Sequence, residues 1–282
     1  MVILDNGILH VEIAEIGAEI RRVTKDGEER FYDGNPDFWT GVAPILFPVC
    51  GGLKDCKYTF GGETYEIEKH GFARHSLFEV EWATATEAVF SLKESEETLK
   101  AFPWSFEFRV KYTLSGSSIR VEYDIFNTDS KTMYVSVGAH EAYACPEGVE
   151  DYDIIFEKKE TLNAHRLSDC GISRQRDIML KDSDTLPLYD KYFEIDALIF
   201  TDHKSRFVTL RNRKTGKETS VSFPDCNYLL IWTKPSAPYV CIEPWAGFPS
   251  YTDEDYDITK KEGMNKLDSG AHYINTHTVY LK

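Results

Sequence analysis

Apolar and polar residues take turns along much of this chain. Phe106, Phe108, Val110, Tyr112 and Leu114 alternate with Glu107, Arg109, Lys111 and Thr113. After Ser115-Gly116-Ser117-Ser118, a turn-forming run, Ile119, Val121, Tyr123 and Ile125 alternate with Arg120, Glu122 and Asp124. Successive side chains of a strand point to opposite faces, so this pattern predicts a long antiparallel hairpin with one dry face and one wet face. Tyr58-Thr59-Phe60, Gly61-Gly62 and Glu63 to Ile67 predict a tighter hairpin, because paired glycines suit a two-residue turn. Phe207 to Leu210 and Ser220 to Phe223 flank Lys214-Thr215-Gly216-Lys217, another turn. Tyr228 to Trp232 and Tyr239 to Ile242 read as short buried strands, and His272 to Leu281 as a further strand. Helical signals are weak: a turn near Asp37 to Trp39 and another within Glu94 to Phe102. The polar stretch from Asn163 to Asp184 reads as a long surface excursion.

Many short strands separated by glycine and proline turns predict an all-β chain, a large antiparallel β-sandwich. No linker, low-complexity tract or internal repeat interrupts residues 1–282, so one domain is expected.

Composition narrows the partners. The 282 residues are 42% hydrophobic and 13% aromatic, a proportion that suits strands and also sugar-binding clefts. The formal net charge of −15 repels phosphate backbones, so no nucleic-acid partner is expected. No apolar stretch approaches the roughly 20 residues of a membrane span, and the start Met1-Val2-Ile3-Leu4-Asp5 does not resemble a secretory signal. The cysteines Cys50, Cys56, Cys145, Cys170, Cys226 and Cys241 form no C-x-x-C pair. They read as free thiols in a reducing cytoplasm, with a Cys50–Cys56 bridge as the alternative for an exported chain. No H-E-x-x-H, EF-hand loop or glycine-rich phosphate loop is present, so neither metal nor cofactor is expected.

Candidate chemistry gathers in three segments. Glu243 follows the apolar Tyr239-Val240-Cys241-Ile242 and precedes Pro244, which is expected to end that strand. A carboxylate held against Trp245 and Phe248 gains basicity; the plainer reading is an edge glutamate in water. His140 follows Val137-Gly138-Ala139, small residues that leave room for a ligand; the plainer reading is a core histidine bonded to a backbone carbonyl. His70 and Arg74 bracket Gly71-Phe72-Ala73, where a donor fork would hold hydroxyls or anions; the plainer reading is a charged turn.

Read in order, these segments resemble the aldose 1-epimerase (galactose mutarotase) family, and within it the LacX-like branch. The pieces are Trp39 to Pro48, Leu53-Lys54-Asp55 with Tyr58, His70-Gly71-Phe72-Ala73-Arg74, Val137-Gly138-Ala139-His140, Asp196 to Phe200, and Ile242-Glu243-Pro244-Trp245. The resemblance implies a sandwich of the galactose-mutarotase type and cofactor-free exchange of the α and β anomers of a free sugar. It implies Glu243 as the base, His140 as the acid, and His70, Arg74 and Asp196 as sugar-binding residues. Two positions depart from the pattern. Gly52 stands where an arginine is usual, which leaves Lys54 or Arg74 to compensate. Glu141 stands where a proline is usual, and is expected to alter the acid's proton affinity or to touch the substrate.

Two other functions compete: a sugar-binding protein without catalysis, and an enzyme acting on a hexose phosphate. A glycosidase would need a carboxylate pair, and only one well-placed carboxylate is evident.

Overall fold

The computed structural model describes residues 1–168, 171–194 and 196–282. Cys170, one of the expected free thiols, lies outside them. The other five cysteines are free, Cys50 and Cys56 included.

The predicted hairpin is there: Phe106–Ser115 pairs with Ser118–Asn127, Ser115 opposite Ser118. Its alternation becomes burial, with all nine apolar positions facing the core. In the glycine hairpin, Lys57–Phe60 pairs with Glu63–Glu66, and Gly61 and Gly62 have φ of +61° and +90°. Both turn residues are left-handed, the geometry that matches strand twist in a two-residue turn and suits glycine.

A sheet of 13 strands organises the molecule. Twelve of them run in the order Glu141–Ala144, Tyr239–Trp245, Tyr228–Trp232, Leu198–Phe200, Tyr152–Ser168, Phe207–Asn212, Glu218–Ser222, His272–Leu281, Ser118–Asn127, Phe106–Ser115, Glu87–Lys93, Glu79–Ala83, and the thirteenth, Gly171–Pro187, pairs with Tyr152–Ser168 off this path. Every pairing in it is antiparallel. The sheet folds over on itself as a sandwich. One buried cluster combines Val240 and Ile242 from one end with Phe90 and Val110 from the other. Glu141, on the first strand, bonds His277, on the eighth, at 2.6 Å. The α-helix Glu96–Ala101 falls within the expected Glu94 to Phe102 turn, closed by a reciprocal Ser95–Thr98 capping box. No helix among the described residues is long and apolar enough to cross a membrane.

Two expectations need correction. Asn163 to Asp184 is not an irregular excursion: it belongs to a ribbon of two 17-residue strands, Tyr152–Ser168 and Gly171–Pro187. Tyr152, Ile154 and Phe156 alternate into the core, but beyond them backbone pairing sustains the outer part of the ribbon with few buried side chains, so no apolar alternation marks that part in the sequence. Register shifts break its period further. Nor does Pro244 end its strand, which continues to Trp245. Proline removes a donor but keeps its carbonyl, and here that carbonyl accepts from Ala139 N–H at 3.1 Å.

Candidate active site

The strand Tyr239–Trp245 is buried along its whole length, so both of its faces are committed. Val240 and Ile242 join the main core. The other face carries Cys241, Glu243 and Trp245. Register then builds a row across the sheet. Ile199 pairs with Leu230, and Leu230 with Glu243. On the far side Glu141 pairs with Ile242, so the residue before it, His140, arrives opposite Glu243. All four members of this row line one cavity of about 710 Å³.

The five candidates from the sequence all line that cavity: His70, Arg74, His140, Asp196 and Glu243. His140 Nε2 stands 3.3 Å from Glu243 Oε2. The contact is not aligned as a hydrogen bond. Glu243 Oε2 and His140 Nδ1 remain buried polar atoms without a hydrogen-bond partner. Glu243 is 1% exposed and His140 9%.

Three indoles shape the walls. Trp39 lies tilted over the His140 ring at 5.0 Å, and Trp232 meets it edge-on at 5.7 Å. Trp245 donates Nε1–H to Ala139 O at 2.9 Å. The small residues before His140 exist for this packing: a Cβ on Gly138 would lie 2.5 Å from Trp245 Cδ1. Phe248 faces elsewhere, packing on Tyr228 and Tyr251. In the sequence Trp39 stands as the first residue of a matching segment and Trp232 as the end of a short strand, and no local pattern marks either as a wall of the site.

His70 is held in the left-handed region at φ +71°, followed by Gly71 at +67°. A side chain on Gly71 would meet Phe47 O at 2.3 Å. Left-handed backbone costs a non-glycine residue about 1–3 kcal/mol and concentrates at ligand-holding sites. Gly51 N–H donates to His70 Nδ1 at 3.1 Å. That nitrogen therefore bears no proton, and neutral His70 carries its own on Nε2. Arg74 donates to Lys69 O at 3.1 Å, and Lys69 Nζ lies 3.7 Å from Asp196 Oδ2.

Burial dominates the electrostatics. It pushes the Glu243 carboxyl well above the usual carboxylate range; Lys69 opposes the rise, while Asp196 and Glu141 add to it. It pulls the His140 imidazole down to about 3, against a bond to its own backbone. It lowers His70 as well, helped by His140, Lys69 and Arg74. Burial therefore favours the uncharged arrangement of the pair, with the proton on the carboxyl. The carboxylate–imidazolium form holds the same number of protons, and mutual attraction offsets part of its burial cost.

Two sequence expectations fail here. Glu141 does not reach the cavity: it points into the sandwich, against His277. Strand alternation sends it to the face opposite His140. Lys54 cannot replace the missing arginine beside Gly52, because it is tied to Glu254 O at 3.0 Å and lies over the Tyr256 ring. Lys69 lines the cavity instead, along with Arg74. A third group is new: the ligating atoms of His140, Cys241 and Glu243 all lie within 4.8 Å of one another. No local spacing announces that cluster, since its histidine comes from a neighbouring strand.

Comparison with known proteins agrees with this architecture. A family model described as aldose 1-epimerase matches residues 1–261. Chromosomal protein LacX of Lactococcus lactis subsp. lactis is 34% identical over 279 residues, covering 94% of this chain and 93% of that protein. The structure of a galactose mutarotase related enzyme from Lactobacillus acidophilus superposes with a TM-score of 0.95 at 34% identity, over 100% of this chain and 97% of that one. A galactose mutarotase-like protein from Lactobacillus casei ATCC 334 gives 0.93 at 29% identity, over 100% of both chains.

Proposed function

Because the chain belongs to the aldose 1-epimerase family, we propose that it interconverts the α and β anomers of a free aldose by general acid–base ring opening. One observation carries the reading: a carboxyl and an imidazole, both buried, stand 3.3 Å apart in a cavity walled by indoles. A hemiacetal carries its hydroxyl and its ring oxygen on the same carbon, so a proton acceptor and a proton donor must stand side by side to reach both.

Glu243 takes the proton of the anomeric hydroxyl while His140, as imidazolium, gives its proton to the ring oxygen. The bond from C1 to the ring oxygen breaks, and C1 becomes an aldehyde. Rotation about C1–C2 exposes the other carbonyl face, and the reverse transfers close the ring. Opening leaves the pair as carboxylic acid and neutral imidazole, the uncharged arrangement that burial favours. His70 Nε2–H, Arg74 and Asp196 hold hydroxyls.

A phosphate ester would find few cations here: Lys69 and Arg74 are the lysine and arginine among the described lining residues, and Lys69 Nζ already lies 3.7 Å from Asp196 Oδ2. The free thiols fit work in the cytoplasm.

The test is the decay of freshly dissolved α-glucose, α-galactose and α-xylose, followed by the anomeric proton signals in NMR. The protein is expected to speed the approach to equilibrium in proportion to its concentration. Glu243→Gln and His140→Ala are each expected to lose about 10²–10⁴ of that rate. Unchanged decay across a wide aldose panel would reject catalysis and leave a sugar-binding protein. Faster anomerisation of hexose 6-phosphates than of hexoses would reject the neutral substrate.

A further inference from the structure

We propose that His140, Cys241 and Glu243 form a site for one borderline-soft divalent cation, Zn²⁺ or Co²⁺, competing with the proton pair for the same atoms. The donor set is one imidazole, one thiolate and one carboxylate, the N, S and O ligands that zinc prefers. Bond lengths of roughly 2.0–2.2 Å in tetrahedral geometry separate a nitrogen and an oxygen ligand by about 3.4 Å. The His140 and Glu243 atoms stand 3.3 Å apart. Cys241 and Glu243 are alternate residues of one strand, so their side chains leave it on the same face. The third ligand is thus already within 4.8 Å of the other two.

A second observation points to an occupant. Glu243 Oε2, the oxygen beside His140 Nε2, is a buried polar atom that makes no hydrogen bond, and Glu243 is 1% exposed. Three protein ligands leave a fourth position open toward the cavity for water or a sugar hydroxyl. Binding displaces the Cys241 thiol proton and the proton shared by His140 and Glu243. The cation, the thiolate and the carboxylate then sum to zero charge, which the buried, indole-walled setting of these side chains tolerates.

Metal binding is read separately from catalysis. The chelator-stripped full chain is titrated with cobalt chloride. One equivalent is expected to produce a thiolate-to-cobalt charge-transfer band in the near ultraviolet and strong visible bands of a tetrahedral ion, both removed by zinc chloride. Cys241→Ser and Cys241→Ala are expected to lose the near-ultraviolet band. Cys56→Ser is expected to keep it, although Cys56 lines the same cavity. In the anomer assay, one equivalent of zinc is expected to stop the wild type, with recovery on chelation. Cys241→Ala is expected to need more than about tenfold more zinc relative to its own metal-free rate. The proposal falls if the wild type shows no near-ultraviolet band, if the band survives both Cys241 variants, if it vanishes in Cys56→Ser, or if zinc-loaded protein keeps its rate. A cobalt band in a protein that accelerates no aldose would uphold the metal site and reject the catalytic reading.

Discussion

Glu243 shows how one residue trades stability for chemistry. Its folded pKa is raised above the usual 4.5, so the fold is favoured by the protonated carboxyl below that pH. That contribution is lost as pH rises through the folded value, because the buried group must then ionise. Glu243→Gln removes the ionisation and keeps the shape. With a chelator present, it is expected to raise the melting temperature at pH 8, a gain of about 1–2 kcal/mol that shrinks to nothing toward pH 4.5. A melting temperature at pH 8 equal to or below that of the wild type would show that the carboxylate is not held at a cost. His70 makes a different claim. With Nδ1 occupied by Gly51 N–H, Nε2–H is the donor left to face the cavity. His70→Ala is expected to raise KM about tenfold, with a smaller fall in kcat, as steady-state anomerisation would measure.

The site depends on strand register, and register was only partly legible in the sequence. The period-two runs marked the core hairpin because each buries one face. His140 and Glu243 drew attention through their neighbours, the glycine before one and the proline after the other. What no local pattern could give was the pairing that sets Glu141 opposite Ile242 and so brings His140 to Glu243. For the same reason Cys241 went unnoticed, and Glu141 and Lys54 were assigned to the wrong surroundings. Their side chains follow tertiary partners, His277 for one and the Glu254 carbonyl for the other. The outer part of the ribbon is not legible in the sequence because charge pairs such as Arg166 with Asp177 dress it, whereas apolar alternation is confined to its base at Tyr152, Ile154 and Phe156. At this scale Gly138→Ala is the informative change. Its methyl group would lie 2.5 Å from the Trp245 ring, on the segment that ends in His140. The expected cost is about 1–3 kcal/mol in urea unfolding, with a clear loss of anomerisation rate as the indole and imidazole shift.

Across the molecule, the two halves of the sandwich are joined where Glu141 meets His277, both of them buried. His277→Ala leaves a carboxyl inside the sandwich without its partner, and the urea midpoint is expected to drop by the equivalent of about 2–4 kcal/mol. An unchanged midpoint would show that water reaches Glu141. The strand holding His277 is also the one that bridges the sheet: His272–Leu281 pairs with Glu218–Ser222 on one side and Ser118–Asn127 on the other. It is translated after every other strand described. A growing polypeptide on the ribosome therefore carries an open β edge at Ser118–Asn127, and a second at Glu218–Ser222 once that strand is made, until this segment has left the exit tunnel and joins them.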